Sequence, residues 1–243
     1  MYVALGDSFT AGQGAPPYLP GACLQSRYAS YPKISAALSG YRAAQNRACS
    51  GADTTAVGLQ LASLDPSVRA STRLVTLTVG GIDAGSNQVL ANCAPDPTAQ
   101  LCLGTLAGAV NDLPVVAGKL VGTYQAVGAA MPNARIAVLN YPRLFDVSQA
   151  GPGSLGFAVN AATDAINEVI RQAVAVAGVT NPKIQYVDVT QEFSRHGIGS
   201  RVPFIAFTPA NPTAVANFHP NALGNLLGYT LALGVDRVIV RRY

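Results

Sequence analysis

Charge is scarce in this 243-residue chain: Asp, Glu, Lys and Arg together make up 12% of it, well below the roughly 25% usual for a soluble domain. Hydrophobic residues account for 49%, so the interior is largely apolar. The length suits one α/β domain, expected over residues 1–243, with a single core covered on both sheet faces. A concentrated basic stripe is also missing. Lys and Arg number 16 against 12 Asp and Glu, for a net charge of +4 and a pI near 9.0, but they are scattered apart from Arg237, Arg241 and Arg242. Nucleic-acid binding needs basic residues gathered on one surface, so no nucleic-acid partner is expected.

No run reaches the roughly 18 to 20 uninterrupted apolar residues that cross a bilayer; even Ala222 to Val235 carries Asn225 and several glycines. No transmembrane segment is therefore expected. No basic and apolar leader-like stretch precedes Tyr2-Val3-Ala4-Leu5. Two expectations follow: a secreted or cell-envelope protein whose leader has been removed, or a cytoplasmic one. Histidine is nearly absent, with His196 and His219 the two in the chain, and CxxC spacing does not occur. That excludes the usual cysteine and histidine metal sites. Internal repeats and low-complexity tracts are absent too.

The four cysteines fall into two local pairs, Cys23 with Cys49 and Cys93 with Cys102. An even count in loop-like surroundings suits two disulfides and an oxidising compartment, while four reduced thiols would suit the cytoplasm.

Strand-like apolar runs occur at Tyr2 to Leu5, Leu74 to Val79, Arg135 to Leu139 and Ile184 to Val187, with a poorer one at Arg42 to Arg47. Helical patterns over Tyr31 to Leu38, Thr105 to Ala130, Ser154 to Ala177 and Asn221 to Leu233 separate them. Alternating strands and helices predict a parallel sheet in a three-layer α/β/α sandwich. Sites in such sheets form beyond the carboxyl ends of the strands. Loops around Ala15 to Gly21, Cys93 to Cys102 and Phe204 to Asn217 are expected to wall a substrate groove.

Gly6-Asp7-Ser8 follows the first strand directly, so a strand-to-helix turn there presents Ser8 Oγ at the top of the sheet with free N–H groups behind it. Near the other end, His219-Pro220-Asn221 opens an apolar helical segment, with Pro220 suited to the first turn. A histidine at a helix N-terminus feels positive potential and stays neutral, able to accept a proton. The chain order, serine early and histidine late with no G-x-S-x-G elbow, argues against the ordinary α/β-hydrolase fold.

Four segments carry a family resemblance. Gly6-Asp7-Ser8-Phe9-Thr10-Ala11-Gly12, Ala48-Cys49-Ser50-Gly51-Ala52, Val79-Gly80-Gly81-Ile82-Asp83 and His219-Pro220-Asn221 resemble, in order, the four blocks of the GDSL/SGNH hydrolases. The cysteine pattern and the segment from Ser26 to Pro32 look most like the secreted actinobacterial esterase and phospholipase A1 branch. The resemblance implies a flavodoxin-like sheet, a Ser-His dyad, an acyl-enzyme, and no metal or organic cofactor. Ser8 would be the nucleophile and first oxyanion donor, Gly51 the second donor and His219 the base. A small acyl ester or lipid would be the substrate of a monomeric esterase or lipase. The alternatives are an acyltransferase that hands the same acyl group to a sugar or alcohol, and a degenerate binding module.

Two positions depart from the family pattern. The third block usually places Asn where this chain has Ile82, which removes a side-chain donor to the oxyanion; Asn87 or another loop amide is the substitute at hand. The acid often found three residues before the histidine is Ala216 here. The carbonyl of Ala216 or Asn217 is then expected to orient the imidazole. His196, Asp7 and Asp83 read as structural residues, the two acids holding turns through side-chain to backbone bonds.

Overall fold

The computed structural model describes residues 1–41, 44–148 and 153–240. Arg42, Arg241 and Arg242 lie outside that range. Five strands, β1 (Tyr2–Gly6), β2 (Ala44–Asn46), β3 (Leu74–Thr78), β4 (Arg135–Leu139) and β5 (Ile184–Val187), form one parallel sheet in the order β2-β1-β3-β4-β5. Parallel strands covered on both faces read as continuous apolar runs, and β1 and β3 are buried at every residue. Side chains alternate between two cores. Val3 and Leu5 point to a layer of α3 (Thr54–Ala62), α6 (Gln100–Ala130) and α7 (Leu155–Gly178). Tyr2 and Ala4 point to α2 (Tyr31–Ser39) and a C-terminal helical segment.

The chain leaves β1 for β2 on one side and returns to β3 on the other, which makes the crevice between the carboxyl ends of β1 and β3 the switch point of the sheet. Gly6 fits there because its φ is +127° and a side chain would collide with the Thr78 carbonyl. Asp7 N–H then donates to Thr78 O at 3.0 Å. Three short helices, α1 (Ser8–Ala11), α4 (Pro66–Ser71) and α5 (Ser86–Cys93), complete the layers together with α3. None of these four is predicted by periodicity, since they span too few turns to show one.

The C-terminal helix differs from the plain α-helix expected over Asn221 to Leu233. It is a π-helix over Gly224–Tyr229 that continues as α8 (Thr230–Val235). Asn225, fully buried, explains the widening. Its amide donates to the carbonyls of Pro220 and Asn221 and accepts from Tyr31 N–H, so side-chain bonds replace part of the regular ladder.

Helix α6 is also more apolar than the sequence criterion suggests: its polar residues are too dilute to lower the average, and by length and composition it could cross a bilayer. It is nonetheless a sheet-covering helix. Val116, Leu120, Tyr124 and Val127 are packed in the core against the sheet, and withdrawing them into lipid would open that core.

Both cysteine pairs are bonded. Cys23–Cys49 ties the loop after α1 to the loop after β2, and Cys93–Cys102 ties the end of α5 to the first turn of α6. With the first pair 26 positions apart, loop-closure entropy assigns that bond about 3 kcal/mol. Cys23→Ala/Cys49→Ala is expected to lower the urea-unfolding free energy by about that amount. An unchanged midpoint would show that the loop is held by its other contacts alone.

Candidate active site

Ser8 is the first residue of α1, and Asp7 caps that helix, accepting from Phe9 N–H at 2.9 Å. The short turn fixes where Ser8 points. Its Oγ lies 2.8 Å from His219 Nε2, across 211 positions of sequence.

His219 is held from several directions. Ala206 accepts from Phe218 N–H and donates to the His219 carbonyl, at 2.9 and 2.8 Å. Phe218 has φ +63°, a strained value for an aromatic residue that the flanking bonds maintain. The imidazole Nδ1 is 2.7 Å from the carbonyl of Asn217, not from that of Ala216. Asn217 is buried and fixed in turn: its side chain accepts from Thr208 N–H and donates to the Asn211 carbonyl, both at 2.9 Å. A carbonyl can only accept, so Nδ1 carries the hydrogen and Nε2 faces Ser8 with its lone pair. Burial pulls the imidazole down to about 4, against the opposing pull of the Asn217 bond. Burial, rather than the helix terminus invoked from the sequence, keeps this histidine neutral.

The N–H groups of Ser8 and Gly51 donate to no acceptor among the described residues. Gly51 has φ +75° with open space around its missing side chain; its loop is anchored to β1 by Cys49 N–H on the Gly6 carbonyl at 3.0 Å. Gly51 does not line the cavity described below, whereas Ile82 and Asn87 do. Asp83, beside Ile82, accepts from Thr54 N–H and Oγ at 2.9 and 2.8 Å and so pins the third block to α3. His196 is far from this chemistry: it bonds the Val202 carbonyl at 2.7 Å and stacks on Phe204 with ring centroids 3.8 Å apart.

Two contributors escape the sequence reading. Tyr141, just beyond β4, donates from its hydroxyl to Asp7 at 2.5 Å and accepts from Gly81 N–H at 2.9 Å. It joins the first and third blocks. Burial raises the Asp7 carboxyl to about 7, although the Tyr141 and Phe9 bonds favour its charged form. Gln13 joins the second block to the loop that leads into His219, accepting from Ser50 Oγ and donating to the Val215 carbonyl, both at 2.6 Å. The position of Tyr141 at a strand's carboxyl end was the one usable signal; Gln13 offers none, because both partners are remote in sequence.

A cavity of about 330 Å³ opens beside Ser8 and His219. Its walls are apolar faces of α5, α6 and α7, including Leu90, Leu106, Leu113, Val159 and Ile166. The three loops expected to form the groove contribute nothing to it. The Cys93–Cys102 bond instead clips α5 to α6, and the lining comes from helix faces together with the turns after β3 and β4, including Ile82 and Tyr141.

The model of the GDSL-like lipase/acylhydrolase family matches residues 4–227. Lipase 1 of Streptomyces coelicolor is 33% identical over 238 residues, 94% of this chain and 83% of the relative. The crystal structure of an extracellular lipase from Streptomyces rimosus superposes with a TM-score of 0.82 at 32% identity, covering 96% of this chain and 98% of the other. That of phospholipase A1 from Streptomyces albidoflavus gives a TM-score of 0.82 at 31% identity over the same shares. On sequence over nearly its full length, and on the fold shared with those structures, this chain belongs to the GDSL-like lipase/acylhydrolase family.

Proposed function

We infer that this protein hydrolyses carboxylic esters of apolar acyl chains, with Ser8 as nucleophile and His219 as its base. The contact that carries the reading is Ser8 Oγ at 2.8 Å from His219 Nε2, with Nδ1 on the Asn217 carbonyl at 2.7 Å. As Oγ bonds to the ester carbon, Nε2 takes its proton, and the carbonyl oxygen becomes an oxyanion facing the Ser8 and Gly51 N–H groups. Collapse breaks the bond to the alcohol, which leaves with the proton from Nε2. Water then repeats the sequence on the acyl-enzyme and frees the acid. The Asn217 carbonyl fixes the tautomer throughout and stabilises the imidazolium less than a carboxylate would.

The cavity lining favours a fatty acyl group, each methylene buried there contributing about 0.8 kcal/mol. The relatives named as lipases and a phospholipase A1 favour water over an alcohol as the acceptor. Two disulfides, together with a relative described as extracellular, favour a secreted or cell-envelope location. The protein is read as a monomer.

Ser8→Ala and His219→Ala should each lower turnover of p-nitrophenyl butyrate by roughly 10³ to 10⁶, with the double variant little worse, as for two groups acting as one unit. His196→Ala should stay near the parent. Hydrolysis that survives Ser8→Ala would overturn the mechanism. For Ile82, one absent donor corresponds to a loss of about 10² to 10³ in turnover. Ile82→Asn is therefore expected to raise kcat on p-nitrophenyl acetate by about tenfold or more. No gain in a folded variant would show that Asn87 or another amide already fills the role.

A further inference from the structure

The first half of α6 turns apolar side chains outward. Leu103 and Val110 on the cavity side of α6 and Phe157 on α7 are between 46% and 55% exposed, where large hydrophobic residues cost solubility unless something covers them. Leu103 and Val110 share one side of the helix, and no ionisable group of α6 shares it: Asp112 and Lys119 project from the opposite side, and Tyr124 is buried in the core.

This surface is continuous with the cavity. Val110 is 55% exposed and yet lines it, as does exposed Ala161, while Phe157 sits one residue before the lining pair Ala158 and Val159. The cavity therefore opens within the apolar patch. A second copy of the chain seated there would cover the mouth through which an acyl chain must enter. A lipid surface would cover the same patch and present the acyl chain to it.

We propose that Leu103 and Val110 of α6, with Phe157 of α7, form a docking surface for an uncharged or zwitterionic lipid aggregate, which places the cavity mouth against the lipid. The proposal rests on the acyl-ester reading of the site for its purpose, not for its test. Contact is apolar, so it holds as salt is raised, unlike binding through a basic patch.

The test uses Ser8→Ala, which removes turnover, with phosphatidylcholine vesicles in a sedimentation assay. Bound fraction should be unchanged between low and high salt, and Leu103→Ser/Phe157→Ser added to Ser8→Ala should lower the partition coefficient at least about tenfold. Leu231→Ser, on an equally exposed stripe of α8 that does not line the cavity, should leave it unchanged. In the Ser8-containing protein, Leu103→Ser/Phe157→Ser should keep full activity on soluble p-nitrophenyl acetate, which also reports an intact fold. Absence of vesicle binding, equal loss with Leu231→Ser, or a dimer that Leu103→Ser/Phe157→Ser dissociates would each overturn the proposal. Vesicle binding without ester hydrolysis by the parent would retain the surface and reject the acyl-ester reading instead.

Discussion

The contact between Ser8 Oγ and His219 Nε2 is one hydrogen bond of 2.8 Å that joins residues 211 positions apart, and much of the fold serves to hold its two ends. Ser8 is fixed by the end of β1, through Gly6 against Thr78 and Asp7 capping α1. His219 hangs on a loop outside the sheet, so its position depends on bonds from Ala206, on the buried side chain of Asn217, and on Asn225 anchoring the following helix to α2. Tyr141 and Gln13 brace the surrounding loops. Each is a buried or partly buried polar group whose loss would leave its partners unpaired, at about 1 to 3 kcal/mol apiece.

Apolar surroundings exert two effects on this centre. Burial lowers the basicity of His219 to about 4, so the imidazole is neutral across the physiological range. Helices beside it form much of the cavity wall, and Ile82, where the family usually has Asn, adds an apolar side chain to that lining.

Ser8 and His219, which the structure brings into contact, were legible because each sits in a short motif. Four of the strands were legible because buried parallel strands are continuous apolar runs. Ala216 and Asn217 were indistinguishable in sequence: any residue has a carbonyl, and which one faces Nδ1 is decided by the Thr208 and Asn211 bonds to the Asn217 side chain. Tyr141 and Gln13 act through partners far away in the chain, and no local pattern reports that. The cavity walls were assigned to the wrong loops because turn-rich composition marks exposure, whereas the lining combines helix faces, whose periodicity looks like ordinary core, with the turns after β3 and β4. The π-helix depends on one buried Asn225, whose partners lie on α2 and in its own first turn.

Activation of Ser8 by a neutral, half-buried His219 is the step we propose at this site. Its most direct measurement is the rate at which an alkylphosphonate p-nitrophenyl ester labels the protein, followed from pH 3 upward by p-nitrophenol release, with peptide mapping of the product. The account predicts a single adduct on Ser8, a rate that falls to half as pH drops through about 4, and at least about a 10²-fold loss of that rate in His219→Ala. An adduct on another residue, or a midpoint near the ordinary histidine value of about 6.5, would contradict it.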